Sequence, residues 1–178
     1  MKKYKQWIAL LLCAAVFCLL AGCNQSKYPA QTVRMNSSFS PELDKQVTVV
    51  QSEQDLDAFT QFLNEKLNEL LQDAQSSSSE EIISENYDML KDTTYASATE
   101  KYDAAFFADQ ALLMVPIIGT SVDEYMVTKL TVNNNQGELH LQGIAHSTEY
   151  PSINFSDIVI IEIPHDLIAD TYTVTVEE

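Results

Sequence analysis

The sequence predicts an α+β fold: a mostly antiparallel sheet of about six strands, with one long amphipathic helix and a shorter second helix packed on it. Three observations carry this. Leu56, Phe59, Leu63, Leu67, Leu70 and Ala74 recur at spacings of three and four, which places them on one face of a helix. From Tyr102 onward the texture changes to short apolar or β-branched runs separated by turn residues. Within that half, 111–115 is continuously apolar, the mark of a strand covered on both faces, and 157–163 is the most strand-like run and is expected at the centre.

The chain opens on a basic segment, Met1-Lys2-Lys3-Tyr4-Lys5, and then runs uncharged from Trp7 to Ala21. This is the anatomy of a secretory signal. At about 1.5 Å per residue the run spans roughly 22 Å, short of the ~30 Å hydrocarbon core that a transmembrane helix must cross. Polar residues Asn24-Gln25-Ser26-Lys27 prevent its extension. The junction Leu20-Ala21-Gly22-Cys23 resembles the lipobox of bacterial lipoproteins. That resemblance implies cleavage between Gly22 and Cys23, a diacylglyceryl group on the Cys23 sulfur, and a mature chain held by lipid on the extracytoplasmic face of the cell membrane. Two or three acyl chains suffice for stable anchoring where one is marginal. The alternative is a conventional signal peptide cut elsewhere, with Cys23 left as a thiol. Cys13 and Cys18 lie inside the apolar run and are discarded with it.

Removing residues 1–22 takes away three lysines and no acid, so the net charge goes from -16 to -16 - 3 = -19. So acidic a surface argues against a nucleic-acid partner and against unaided attraction to anionic lipid. Beyond Cys23 there is no cysteine, which excludes disulfides, thiol catalysis and thiolate metal sites within the mature chain. Packing must supply the stability.

Residues 23–45 are polar, with Pro29, Pro41 and a Ser37-Ser38 pair, and read as a flexible tether of roughly 25 Å as a coil. A single α+β domain is expected over 46–178. Its first strand is 46–51, short and β-branched. Ser52-Glu53-Gln54-Asp55 resembles a capping box and starts the long helix, with Phe62 and Leu71 widening the apolar stripe. Such a stripe can serve a partner or the protein's own sheet, and docking on the sheet is the expectation. The serine run 76–79 breaks this helix. A second helix is expected over 80–90, using Ile82, Ile83, Tyr87 and Leu90, and 91–99 is expected to be a mobile loop.

Residues 102–109 read as a helical turn that seats Phe106 and Phe107 in the core. The strand 111–115 should end at Pro116. Strands 124–132 and 138–145 flank Asn133-Asn134-Asn135-Gln136-Gly137, rich in residues that tolerate positive φ, so a hairpin is predicted. Tyr172-Thr173-Val174-Thr175-Val176 alternates as a half-exposed closing strand.

Catalytic chemistry finds little raw material. His140 and His146 share one face of a strand but stand about 20 Å apart along it, too far to hold one metal ion. His165 sits beside Asp166 at a strand end. Asp123-Glu124, or Asp103 with Asp109, offers at most weak Ca²⁺ binding, because the alternating ligands and central glycine of an EF-hand loop are missing. No nucleophile elbow or phosphate-cradling glycine loop is present, and the chain has four glycines in all. The expectation is a non-enzymatic protein without cofactors, metals or catalytic residues.

The stretch Tyr102-Asp103, Phe106-Phe107, Asp109 and the strand that follows resembles the PrcB carboxy-terminal domain family of small extracytoplasmic domains. Gly119-Thr120-Ser121, the hairpin and the late apolar strand ending in Pro164 continue the likeness, which is clearest over 102–164. The Gly-Ser turn is altered and the insert 65–100 is longer than the family's. The resemblance implies a protein-binding or scaffolding role at the cell surface, accessory to a secreted protease, and it transfers no catalytic residue. The alternative is a binder of a small ligand such as a glycan, a peptide or Ca²⁺. A concave pocket lined by Tyr125, Tyr150 or Tyr172 would favour the alternative, and an exposed apolar patch would favour a protein partner.

Overall fold

The computed structural model describes residues 27–35, 39, 41–77, 88–120, 122–145 and 155–177. Along them run β1 (Ala30–Arg34), β2 (Thr48–Val50), α1 (Glu53–Ser77), α2 (Thr93–Thr99), α3 (Ala104–Phe107), β3 (Gln110–Thr120), β4 (Glu124–Asn133), β5 (Gln136–Ile144), β6 (Phe155–Pro164) and β7 (Thr171–Glu177). Short 3-10 turns occupy Pro41–Leu43, Met89–Lys91 and His165–Leu167. The class is α+β, as expected. The strands, however, divide between two sheets, ordered β1-β6-β3-β2 and β4-β5-β7.

The four-stranded sheet is the middle layer, and the alternation of its side chains explains why residues 111–118 of β3 and 158–161 of β6 are apolar without a break. Leu112, Met114, Ile158 and Ile160 face one way, together with Val33 of β1, and meet Leu56, Phe59, Leu63 and Leu67 of α1 and Tyr95 and Ala98 of α2. Ala111, Leu113, Val115, Val159, Ile161 and Ile163 face the other way and meet Val127, Leu130, Leu139 and Leu141 of the second sheet. Each such residue taken fully out of water contributes about 1.5–3 kcal/mol, so helices and second sheet hold the middle layer from both sides.

Helix α1 starts where the capping residues place it. The Asp55 amide donates to Ser52 Oγ at 3.1 Å, and the Gln51 amide donates to Asp55 Oδ2 at 3.0 Å. Its buried stripe docks on the protein's own sheet. Phe62, expected to widen that stripe, stays 38% exposed.

Three expectations need correction. The segment 23–45 is not a tether throughout: β1 pairs antiparallel with β6, and Tyr28, Val33, Met35, Phe39 and Leu43 are buried. The sequence hides this strand because an edge position leaves Gln31 exposed and Ala30, Thr32 and Arg34 only partly covered. Residues 91–99 are not a loop but mostly α2, whose N-cap Asp92 accepts from Thr94 N and Tyr95 N at 3.0 and 3.1 Å. Pro116 does not end β3. The Lys45 amide donates to Pro116 O at 2.8 Å, so this residue's ring nitrogen also faces the side where β2 has already stopped, and no ladder bond is lost there. The expected mostly antiparallel arrangement of about six strands holds, with seven among the described residues shared between two sheets and β7 running parallel to β5. The second helix expected over 80–90 lies largely outside the described residues, and its last positions, Met89 and Leu90, belong to a 3-10 turn.

The hairpin is tighter than the five-residue loop expected. Asn134 and Asn135, with φ of 51° and 60°, make a two-residue turn between the paired Asn133 and Gln136, the positive-φ pair that matches strand twist. A register shift between Val127 and Lys129 inserts Thr128 as a bulge, which lets Leu130 face the core with Tyr125 and Val127 despite its odd spacing.

Candidate functional site

The residues singled out from sequence do not converge. Gly22 and Cys23 lie outside the described residues, as do His146 and Tyr150. His140 is half-buried on β5, while His165 bonds through Nε2 to Gln110 O at 2.9 Å. Among the described residues no three of His, Cys, Asp or Glu gather to hold a metal ion. Asp103 is spent on capping α3, accepting from Ala105 N and Phe106 N at 3.0 Å each. Asp123 stands 3.9 Å from the Arg34 guanidinium.

The Tyr-Asp and double-Phe pattern resolves into packing. Tyr102 is buried and its hydroxyl donates to Glu162 Oε1 at 3.1 Å, with Lys101 Nζ 2.9 Å from the same oxygen. Burial, more than these charges, pushes the Tyr102 hydroxyl up to about 12. The Tyr102 and Phe106 rings meet edge to face at 4.7 Å, and Phe106 meets Phe107 the same way at 5.2 Å.

A polar cluster that sequence reasoning missed centres on Arg34, the only arginine of the chain. Its Nε donates to Asp157 Oδ1 at 3.2 Å, Nη2 lies 3.4 Å from Oδ2, and Nη2 also donates to Val122 O. Asp157 is fully buried. Burial raises its carboxyl above the usual range, Arg34 opposes that, and Asp123 adds to it. These bonds tie β1 and β6 to the residues that lead into β4. The signal was a lone carboxylate at the head of the most apolar strand, and its partner lay in the segment read as tether.

Of the concavities among the described residues, two bear on a binding role. A cavity of about 470 Å³ opens at the seam where the edge of the first sheet meets that of the second, lined by Tyr28, Pro29, Ala30, Glu124, Tyr125 and Met126, with Ile144 at its rim. The Tyr125 amide donates to Thr32 Oγ1 across this seam at 2.8 Å. Both tyrosines are packed, at 9% and 3% exposure, so the walls are aromatic but the rings are not presented. Tyr172 lies elsewhere, stacked against Gly137. The second is a groove of about 390 Å³ between β2 and α1, lined by Thr48, Val49, Asp55, Ala58, Phe59 and Phe62. Here Phe62 supplies an exposed aromatic face beside a strand edge that no described strand pairs. No protein-family model matches the chain, and no curated protein or solved structure is significantly similar to it.

Proposed function

We propose that the chain is a lipid-anchored, non-enzymatic module that holds a partner protein at the extracytoplasmic face of the cell membrane. The observation that carries this is the basic, apolar, small-residue and cysteine succession ending at Cys23. The likeness of residues 102–164 to the PrcB carboxy-terminal domain family supports a scaffolding role, accessory to a secreted protease. An exposed Phe62 beside a sheet edge that no described strand pairs supports a protein partner over a small one.

The fold changes the expected geometry of the anchor. Tyr28 is buried at the head of β1, so only 28 - 23 = 5 residues of reach separate the lipidated cysteine from the packed domain. Fully extended, they reach about 17 Å. The domain then sits close to the bilayer, and its strongly acidic surface resists lying on anionic headgroups. No helix among the described residues is long and apolar enough to cross a membrane.

Cys23→Ala tests the anchor directly. The substitution is expected to release the protein from membranes or to leave its precursor unprocessed, read by fractionation and intact mass. A variant that stays membrane-bound at the mature size refutes the reading. The second reading, a small-ligand binder, draws on the aromatic-walled cavity beside Tyr125 and its single lining carboxylate, Glu124.

A further inference from the structure

The edge of the first sheet at β2 is short: three residues face the eleven of β3. Which backbone groups it leaves open follows from the register. The Lys45 amide donates to Pro116 O, and the Ile118 amide donates to Asp44 Oδ1. Even-numbered residues of β3 therefore aim their backbone groups toward β2. Thr48 and Val50, opposite Met114 and Leu112, take those bonds. Val49, opposite Leu113, aims its N–H and C=O the other way, to an edge that no strand among the described residues pairs. Gln51 aims outward too, but Asp55 already accepts from its amide.

A short edge strand is an ordinary protection against unwanted pairing. What sets this one apart is the groove beside it, where Phe59 forms the floor and Ala58 and Phe62 of α1 stand exposed. On its α1 wall the charge around the groove has one sign, while on the β2 wall Lys45, next to the lining Gln46, is paired with Asp44. Between Glu53 and Glu65, α1 carries Glu53, Asp55, Asp57 and Glu65 and no basic residue. A second copy of the chain would bring this acidic rim against itself, which disfavours self-pairing.

From this we infer that β2 accepts an extended segment of a partner protein as an added strand, one that alternates apolar and basic side chains. An apolar side chain enters the groove against Phe59 and Phe62, and flanking lysines or arginines meet Asp55 and its acidic neighbours. Backbone bonds to Val49 supply pairing, and the groove supplies selection. This rests on the protein-binding reading and names the surface and the chemistry of the partner.

The test uses the full lipidated chain in detergent micelles and a capped hexapeptide of alternating lysine and valine. Saturable binding is expected, together with slowed hydrogen exchange at 47–51, while a glutamate–valine peptide of the same length stays unbound. Val49→Pro removes the outward N–H at an edge position that tolerates proline, and should weaken binding about tenfold. Phe62→Ser, on the exposed side of α1, should weaken it about fivefold with the fold unchanged by circular dichroism. No binding, or binding without protection at 47–51, overturns the inference. So does slow exchange at Val49 in the chain alone, because the edge would then already be covered. Crosslinking in native membranes separates this inference from the reading beneath it. A partner captured away from 47–62 removes the docking site and keeps the protein-binding role, whereas no captured partner removes both.

Discussion

Replacing Arg34 with methionine would strip the buried Asp157 carboxylate of its cation while keeping most of the side-chain volume. Removing one member of a buried pair costs about 3–5 kcal/mol, because the other charge is left in a poor dielectric. Asp157 is fully buried, but the Arg34 side chain is 31% exposed, so water reaches part of the vacated space. The lower end, about 3 kcal/mol at neutral pH, is expected. For a domain of this size that lowers Tm by roughly 6–12 °C. The one tryptophan of the sequence, Trp7, lies outside the described residues, so far-UV circular dichroism in urea is the suitable readout.

The penalty also carries a pH signature. Burial already holds the Asp157 carboxyl above its ordinary value against the pull of Arg34, and losing Arg34 raises it further. A raised carboxyl favours the protonated native state. Its contribution is therefore full below the unfolded value of about 3.9 and is lost as pH rises through the higher folded value. The difference between Arg34→Met and the parent should thus be largest near pH 7 and shrink as pH falls toward about 4. Adding Asp157→Asn should recover much of the loss at neutral pH, since the pair's coupling is then removed with both charges. A penalty under about 1 kcal/mol, or one that does not change between these pH values, refutes the reasoning.

Two other outcomes follow from the second sheet and the helical layer. A Cβ at Gly137 would stand 2.2 Å from Tyr172 Cδ1, and the Tyr172 hydroxyl is fixed between Leu167 O and Ala169 N. Gly137→Ala is therefore expected to cost about 2 kcal/mol in urea unfolding, and a loss near zero would show that the ring moves aside freely. Tyr95 and Tyr102 are both pushed up to about 12, chiefly by burial. An alkaline titration followed by tyrosinate absorbance should show these two hydroxyls ionising well above the unperturbed tyrosine value of about 10, with stability lost as pH climbs from that value through the raised ones. Coincident ionisation of all tyrosines would contradict it.

Periodicity made some elements legible before any coordinates. The stripe from Leu56 to Leu67 docks where its spacing implies, and Ser52 and Asp55 cap it. The run 111–115 is covered on both faces, and the Asn134-Asn135 turn takes positive φ at both positions. Other elements left no local signal. Ala30–Arg34 is a strand because β6 offers it an edge, and not through any strong alternation of its own. Thr93–Thr99 is helical because Asp92 caps it and Tyr95 finds a buried partner in Thr60, hydroxyl to hydroxyl at 3.0 Å. The Arg34–Asp157 pair joins positions 123 residues apart, a separation at which sequence offers no rule of pairing.

The sequence by itself determined the α+β class, the long capped helix, the hairpin and the central apolar strands. Each is settled by contacts between near neighbours or by a period of side chains along one element. Only the tertiary structure decided that there are two sheets, that β7 runs parallel to β5, that the domain begins almost at Tyr28, and that Val49 and Phe62 flank an edge that no described strand pairs. Those properties depend on which distant segments cover one another, and burial of that kind is a property of the assembled fold.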